Sequence, residues 1–401
     1  MTTIAETWGV HEAQFWLRDE FPADPVRFDA ETGMWNVYGH AEALKTLSDP
    51  KVFSSDTTRL IPKEISPDKD LFVEGNLLQM DPPDHKKLRT LVSHAFTPKV
   101  VADLEPRIAA LTHELLDAVD GADSMELVTH LAYPLPVIVI AELLGIPASD
   151  RDLFKEWVDT LLRNSQQRSL IKQTEEDKKA AEETSAQVKN LVNYLSEHVD
   201  DRRRNPREDL LTKLVEAEVD GTKLTQNEVV NFANVLLLAG HITTTMLLGN
   251  TVLCLDSHPD EYRRVREDRA LLPATIEESL RFLSPFALVA RATTTEVELG
   301  GQTIPADSML GIWVAAANRD PRTFTDPGVF DPARAHNPHL AFGRGIHFCI
   351  GAPLARLEGK TALNILLERF PDLRTDPAVP PSFIPSPHMT GVNELRLLLK
   401  P

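Results

Sequence analysis

The stretch HLAFGRGIHFCIGAPLARLEG, residues 339–359, decides the fold of this chain. Gly343 and Gly345 precede Cys349, and glycine permits tight turns with positive φ that bring the backbone close to a flat ligand. A helix is predicted from residue 350 onward, so Cys349 lies at an N-terminal helix end, where free N–H groups and the helix dipole stabilise a thiolate. Such a thiolate can be an axial ligand of iron. A buried structural cysteine and a redox or nucleophilic thiol remain alternatives from these residues alone.

The full pattern is Phe342-Gly343-x-Gly345-x-His347-x-Cys349-x-Gly351, and it closely resembles the cysteine-ligand loop of cytochromes P450. The resemblance implies a mainly α fold with minor β sheets and a haem b (iron protoporphyrin IX) whose iron is held by Cys349. It places Phe342 and Gly351 in the haem-binding loop. It also implies a monooxygenase that hydroxylates its substrate with one atom of dioxygen, with epoxidation and oxidative ring coupling as compatible outcomes.

A second motif matches the same family. Glu278 and Arg281, in ATIEESLRFLSP, are three residues apart and therefore share one helix face on which they can form an ion pair. Together with Arg334 of FDPAR they are similar to the family's glutamate–arginine–arginine network. The resemblance gives these residues a structural role, in which they hold the cysteine loop in place.

Four basic residues lie where the family places its contacts to the two haem propionates. His85 and Arg89 are four residues apart in DPPDHKKLRTLVSHAF and share a helix face, and Arg291 and His347 complete the set. Arginine presents N–H groups in a geometry that suits carboxylates. The four residues are therefore predicted to bind the propionates.

The run NVLLLAGHITTTMLLGN, within a long predicted helix, resembles the distal helix of the family. Ala239 and Thr243 are four residues apart and project on the same side, and Gly240 is expected to leave a gap beside them. A hydrogen bond from Thr243 to the Ala239 carbonyl would loosen the helix and admit dioxygen or water. In the family, a threonine at this place supports proton delivery.

The chain departs from the family pattern one residue earlier, because Ile242 stands where most relatives carry an acid and an isoleucine cannot relay a proton. His241, Thr244, an ordered water or a substrate hydroxyl are the candidate replacements. The Ala-Gly-His-Ile-Thr-Thr-Thr run resembles that of actinobacterial hydroxylases that decorate macrolides. It does not resemble the peroxide-using branch, so the ordinary reductive cycle is expected.

The substrate pocket is predicted from the same resemblance and is largely apolar, which suits a bulky lipophilic substrate. A macrolide or other polyketide is favoured, with steroids, terpenoids and fatty acids as alternatives. The predicted lining residues are Leu77, Leu78, Val235, Leu236, Ala239, Phe286, Ala287, Leu288, Val289, His388 and Met389.

Electrons are expected from a separate ferredoxin-type partner and its reductase, because the chain lacks a strand-associated Gly-x-Gly-x-x-Gly fingerprint for a flavin or nicotinamide. An acidic ferredoxin is predicted to dock on basic residues near the cysteine face, guided by complementary charge. These residues are Lys86, Lys87, Arg344, Arg356 and Lys360.

Composition limits the other classes of function. The formal net charge of −18 disfavours nucleic acid and anionic membranes as partners. Two cysteines far apart in sequence argue against a disulfide framework. With no signal-peptide pattern and no uninterrupted apolar span, a soluble, cytoplasmic, monomeric protein is expected. A sensor or electron carrier with a haem-thiolate centre, a nucleophilic cysteine and a zinc site are the competing hypotheses.

The periodicity predicts one domain over residues 1–401, mostly helical, with β-rich portions at about 26–38, 292–314 and 390–399. Loops are predicted at 51–76 and 163–172, and an irregular connection at 318–338. The predicted helices are 84–95, 100–119, 149–162, 174–203, 225–255, 259–267, 273–283 and 350–370.

Overall fold

The computed structural model describes residues 8–61, 74–93, 97–150, 153–154, 156–157, 175–219 and 221–400. The fold is mainly α with small β sheets, as the sequence predicts. The α-helices, α1 to α12 in chain order, are His40–Ser48, Asp84–Ser93, Pro98–Ala102, Glu105–Asp117, Pro134–Leu144, Glu175–Arg204, Leu210–Glu216, Gln226–Ser257, Pro259–Glu267, Leu272–Phe282, Val314–Ala317 and Ala352–Arg369.

The strands, β1 to β14, form one five-stranded sheet in the order β1-β2-β10-β7-β3, a three-stranded sheet β11-β14-β4 and three two-stranded pairs. The first β-rich portion is the predicted hairpin, whose strands pair antiparallel from Val26 opposite Val37 to Asp29 opposite Met34. The strands are Val26–Asp29, Met34–Val37, Phe53–Ser54, Ser124–Glu126, Glu218–Val219, Thr222–Lys223, Val289–Thr293, Val297–Leu299, Gln302–Ile304, Met309–Ile312, Arg374–Thr375, Ser382–Phe383, Val392–Glu394 and Arg396–Leu398.

Helix α8 is the centre of the fold. Thr225 caps its first turn, because the threonine side chain accepts from the Glu228 N–H while the Glu228 carboxylate accepts from the Thr225 N–H. The helix packs against α5, α6, α10 and α12. It is long and apolar enough to cross a membrane by length and composition, but 67% of its most apolar window is buried inside the protein. Its hydrophobic character is therefore accounted for by its place in the core.

Two clusters of buried apolar side chains hold the elements together. The larger one joins α8 to the helices around it, and the smaller one lies between the five-stranded sheet and α1. The segment between α11 and the cysteine loop has no regular secondary structure from 318 to 338, as predicted. The turn Gly345–His347 of the cysteine loop contacts α1.

The prediction of one continuous helix over 100–119 is wrong. The chain forms α3 and α4 instead, with a break at Asp103 and Leu104. Pro106 lies in the first turn of α4, and proline cannot donate the N–H that would continue α3 through this point. The predicted helix over 149–162 and the loop over 163–172 fall largely outside the described residues.

Candidate active site

The cysteine loop folds back on itself before α12 begins. Gly343 and Gly345 have φ of 68° and 69°, as the turn requires. A Cβ at Gly345 would lie 2.6 Å from the Leu47 carbonyl oxygen of α1, so only glycine fits there. The Cys349 N–H donates to the Phe342 carbonyl oxygen at 2.9 Å. The loop is thereby closed across seven residues, with Cys349 held at its end.

Opposing influences act on the pKa of the Cys349 thiol. Burial is the largest influence and raises the pKa of the thiol, whereas backbone N–H groups of Gly351 and Ala352 and the charges of Arg89 and Arg356 partly oppose this rise. These N–H groups belong to the start of α12, so the helix end supports negative charge on Sγ. A dry thiolate supported by fixed donors is suited to bind a metal ion, since coordination deprotonates a thiol outright.

The four basic residues predicted to bind propionates come together beside this loop. The rings of His85 and His347 are 4.3 Å apart, and Arg291 is almost fully buried. Burial lowers the pKa of Arg291 to about 10. Burial and then the charges of Arg291, His85 and Arg89 lower the pKa of His347 to about 3. The four residues therefore bring two guanidinium groups and two imidazole rings together in one pocket.

Two polar residues that the sequence did not point out complete the pocket. The Ser55 hydroxyl lies 2.8 Å from His347 Nε2, and the Ser55 N–H donates to Asp81 Oδ1 at 2.9 Å. Asp81 also accepts from the Ser54 hydroxyl at 2.5 Å. Arg89 donates to the Phe348 carbonyl oxygen at 2.7 Å, which ties α2 to the cysteine loop.

On α8, one face differs from the rest of the helix. Between Val229 and Leu255 almost every residue is buried, but a stripe at positions i, i+3, i+4, i+7 and i+8 is only half-buried. A half-buried stripe on an otherwise buried helix faces an interior space. Its members are Val235, Leu238, Ala239, Ile242 and Thr243.

Thr243 donates to the Ala239 carbonyl oxygen at 2.8 Å, as the sequence predicts, and Thr244 donates to the Gly240 carbonyl oxygen at 3.1 Å. Gly240 is half-buried like Ala239 and Thr243, and on the side where its Cβ would lie it approaches α5, since an added Cβ would be 3.3 Å from the Ile140 side chain. The missing side chain at Gly240 therefore allows close packing of the two helices.

A buried acid that sequence reasoning missed contacts Thr244. Glu358 of α12 is 2% exposed. Burial raises its pKa to about 8, and a hydrogen bond with the Thr244 hydroxyl only partly opposes this. Since the Thr244 hydroxyl donates to the Gly240 carbonyl oxygen, its oxygen can accept a hydrogen bond from Glu358 when that acid is protonated. The spacing of Glu358 four residues after the buried Leu354 and four before the buried Ala362 is the signal that would have found it.

His241 lies on the opposite side of α8 from the stripe. Its Nδ1 is 2.6 Å from the Leu237 carbonyl oxygen, and its ring packs edge-on against Tyr133 at 5.9 Å. The imidazole is completely buried there. Its place is therefore the contact between α8 and the segment that leads into α5.

The two distant segments predicted to line the pocket meet each other. Phe286 and Met389 form an isolated antiparallel bridge, and the Ala287 N–H donates to the His388 carbonyl oxygen at 2.7 Å. Leu288 and Val289 are half-buried beside them. Two of the predicted pocket-lining residues are not half-buried in this way. Leu236 is buried off the α8 stripe, and Leu78 is 56% exposed while its neighbour Leu77 is buried.

Glu278, Arg281 and Arg334 form one network of ion pairs and hydrogen bonds in the protein interior. Arg281 donates to both oxygens of Glu278 at 2.8 and 2.6 Å, and the Arg334 Nε lies 3.5 Å from Glu278 Oε1. Arg281 also donates to the carbonyl oxygens of Asn318, Pro327 and Val329. The network thus anchors the irregular segment that leads to the cysteine loop.

Comparison with known proteins agrees with this geometry. A family model described as "Cytochrome P450" matches residues 26–400. The chain belongs to the cytochrome P450 family. It is 42% identical over 385 residues to the cyclomarin C epoxidase CymV of Salinispora arenicola, covering 96% of this chain and 95% of that one.

Two more similar proteins support the same assignment. The P450 is 44% identical over 382 residues to the erythromycin C-12 hydroxylase of Saccharopolyspora erythraea, covering 94% and 92% of the two chains. Its structure is similar to that of HmtN, a post-tailoring hydroxylase involved in himastatin biosynthesis, with a TM-score of 0.87, 54% identity and full coverage of both chains. The P450 is therefore a haem-dependent monooxygenase that binds dioxygen and a lipophilic substrate and needs a redox partner.

The residues of this P450 fit haem b. Among the described residues, His85 Nε2 is buried without a hydrogen-bond partner, and it lies in the pocket near the positive charges of Arg89 and Arg291 as well as the Asp81 carboxylate. Propionate oxygens would supply both an acceptor and negative charge. Beside this pocket, the Cys349 sulfur is supported by the start of α12. The donor set therefore suits a planar dianionic group with a metal ion at its centre.

Proposed function

We propose that this P450 hydroxylates or epoxidises a bulky lipophilic secondary metabolite of the macrolide or polyketide type. The observation that carries the proposal is the apolar, half-buried stripe on α8 next to Thr243. We propose that the segments joined by the Phe286–Met389 bridge form a second apolar wall of the same space. The relatives named above include an erythromycin hydroxylase and a cyclomarin epoxidase, which favours large natural products over small substrates.

We assign the site residues as follows. Cys349 ligates the haem iron, and His85, Arg89, Arg291 and His347 bind the propionates. Phe342, Ala239, Gly240 and Gly351 shape the haem contact. Glu278, Arg281 and Arg334 are structural residues that hold the loop. When bound, haem would supply the activation of dioxygen, and the Cys349 thiolate would hold its iron and assist that chemistry.

The side chains around this centre orient the substrate and control protons. Val235, Leu238 and Ile242 exclude water from one side of the substrate and present one C–H bond for reaction. Thr243 and Thr244 provide hydroxyl groups on neighbouring positions of α8. We propose that Glu358 replaces the acid that is missing at Ile242: it would give a proton to the Thr244 oxygen while the Thr244 hydroxyl turns from Gly240 and releases its own proton toward bound dioxygen, so that Glu358 is left as the carboxylate. His241, bonded to its own helix, keeps a packing role in this scheme.

We further propose that an acidic ferredoxin docks on the cysteine face. Lys86 and Arg344 are exposed there, and Lys87 is half-buried. Phe348 of the cysteine loop is 37% exposed. Lys360 lies 3.7 Å from Glu105 in an exposed ion pair. Arg356 is held by Glu277 and contributes less free charge. The chain would act as one catalytic domain, a cytoplasmic monomer that receives electrons through this surface.

Substrate class can be tested by spectral titration followed by turnover. Macrolides and related polyketides are expected to displace the water on the iron and give a type I shift, whereas steroids and fatty acids of similar polarity are expected to bind more weakly. Turnover of the best ligand with ferredoxin and reductase should give a product heavier by one oxygen atom in mass spectrometry. Tight binding and oxidation of steroids alone would contradict the proposed substrate class.

A further inference from the structure

Glu277 is the neighbour of Glu278 on α10, but it has a different set of partners. Its two carboxylate oxygens accept from Arg356 Nε and Nη2 at 2.7 and 2.8 Å, which is a bidentate pair. One of these oxygens also lies 3.0 Å from His339 Nε2. His339 begins the cysteine loop and Arg356 follows it on α12. One carboxylate therefore joins the two ends of the loop that contains Cys349.

The second observation is a contact between Arg356 and the loop itself. The guanidinium carbon of Arg356 lies 4.5 Å from the centre of the Phe342 ring, within the range of a cation–π contact. The carbonyl oxygen of Phe342 accepts the Cys349 N–H at 2.9 Å. Phe342 is thus fixed at both its ring and its backbone, and the backbone bond leads directly to the cysteine.

The Glu277 carboxylate stays charged in this setting. Burial raises its pKa, but hydrogen bonds from Arg356 and His339 outweigh burial and lower the pKa to about 2. The Arg356 guanidinium is in turn close enough to Cys349 to favour the thiolate. Because Glu277 occupies two of its N–H groups, Arg356 has a fixed orientation above Phe342, which a free surface cation would lack.

We propose that Glu277, His339 and Arg356 form a clasp that closes the cysteine loop, holds Phe342 against it and thereby sets the reduction potential and durability of the haem–thiolate bond. The inference rests on the proposed role of Cys349 as the iron ligand. In this scheme Glu277 and Arg356 are positioning residues. They act through Phe342 and the Cys349 backbone, and they keep water away from the sulfur.

Two conservative substitutions, Glu277→Gln and Arg356→Lys, test the clasp. Lysine keeps the charge at 356 but loses the bidentate pair and the planar stacking. Water that reaches the sulfur stabilises the more negative reduced state, so both variants should have a higher midpoint potential than the wild type. Conversion of the carbon monoxide complex to the shorter-wavelength form that marks thiolate loss should be roughly tenfold faster, since each variant weakens both the pairing between residues 277 and 356 and the contact of residue 356 with Phe342.

Arg369→Lys is the matched control. Arg369 is on the same helix, pairs with Asp117 at 2.7 Å and lies 5.9 Å from the Phe370 ring, but it does not touch the cysteine loop. The control should keep the wild-type potential and conversion rate. If Arg356 serves ferredoxin docking alone, Arg356→Lys would match the control in both readouts, and that result would overturn the clasp.

Docking is measured on the same samples. Arg344→Gln should slow electron transfer from ferredoxin at low salt without moving the potential, whereas Glu277→Gln should move the potential at every salt concentration. Far-UV circular dichroism verifies that each variant is folded. A wild-type protein without the thiolate spectrum would refute the haem-thiolate assignment itself. A normal wild-type spectrum with unchanged Glu277→Gln and Arg356→Lys potentials would refute only the clasp.

Discussion

Replacement of Arg281 by leucine is expected to reduce the free energy of unfolding by about 3–5 kcal/mol, the cost of breaking a buried ion pair from one side. Arg281 is completely buried, pairs with Glu278 and donates to three carbonyl oxygens of the segment from 318 to 329. Leucine would leave the Glu278 carboxylate and these carbonyls without their main donor. Chemical denaturation followed by circular dichroism, at equal haem content, measures the loss.

The chain offers a control with the same spacing on a helix surface. Arg264 pairs with Glu261 three residues earlier on α9, at 2.9 and 3.0 Å, but its side chain is 46% exposed. Arg264→Leu should change the free energy of unfolding by less than about 1 kcal/mol, as exposed pairs contribute little. Equal losses in the two variants would contradict the structural role given to Arg281.

Glu358→Gln is expected to reduce product formation by about 10²-fold, within the range of a lost general acid. Binding of substrate and the carbon monoxide spectrum should be unchanged, so oxygen consumption should continue without product. Glutamine keeps the shape and a hydrogen bond to Thr244 but cannot supply a proton. Coupling of oxygen uptake to product, measured with an oxygen electrode and chromatography, separates this loss from a loss of binding.

The pH dependence gives a second test of Glu358. Its pKa is raised to about 8, so the proton-donating form is present below that pH and is lost as pH rises through it. Among the described residues, burial and the Thr244 hydroxyl are the influences on this pKa. Wild-type coupling should fall above about pH 8, and Glu358→Gln should lack that inflection.

Glu368→Gln, an exposed acid on the same helix, should behave as the wild type. Thr244→Val should reproduce the uncoupling of Glu358→Gln. If Glu358→Gln couples oxygen uptake to product as well as the wild type does, with an unaltered pH profile, Glu358 is not the proton donor. Bound water or a substrate hydroxyl would then be the source of the proton.

Local sequence patterns predict much of the secondary structure. The helix-type spacing over residues 225–255 predicts α8 to within two residues at its end, and the alternation of apolar and polar residues over about 26–38 predicts the β structure that forms the first hairpin. Helix α5 was missed because its sequence, PLPVIVIAELL, is apolar on nearly every side, so it has no amphipathic period to detect. Helices α1 and α7 are short and likewise escaped the periodicity.

Site residues that belong to one short sequence motif could be predicted. Contacts between residues that are far apart in the sequence could not. Cys349, Gly343 and Gly345 are encoded within seven residues. In contrast, the partner of Arg356 is 79 residues away, so sequence alone suggests a free docking charge where the structure shows a pair with Glu277. Ser55 reaches His347, and Asp81 reaches Ser55, only through tertiary packing.

The central claim is that Cys349 binds the haem iron as a thiolate, and a carbon monoxide difference spectrum of the reduced protein tests it most directly. The wild type is expected to show a Soret band near ~450 nm, and Cys349→Ala is expected to lose it while other haem absorption can remain. A folded, haem-replete wild type without that band, or a Cys349→Ala variant that retains it, would contradict the account.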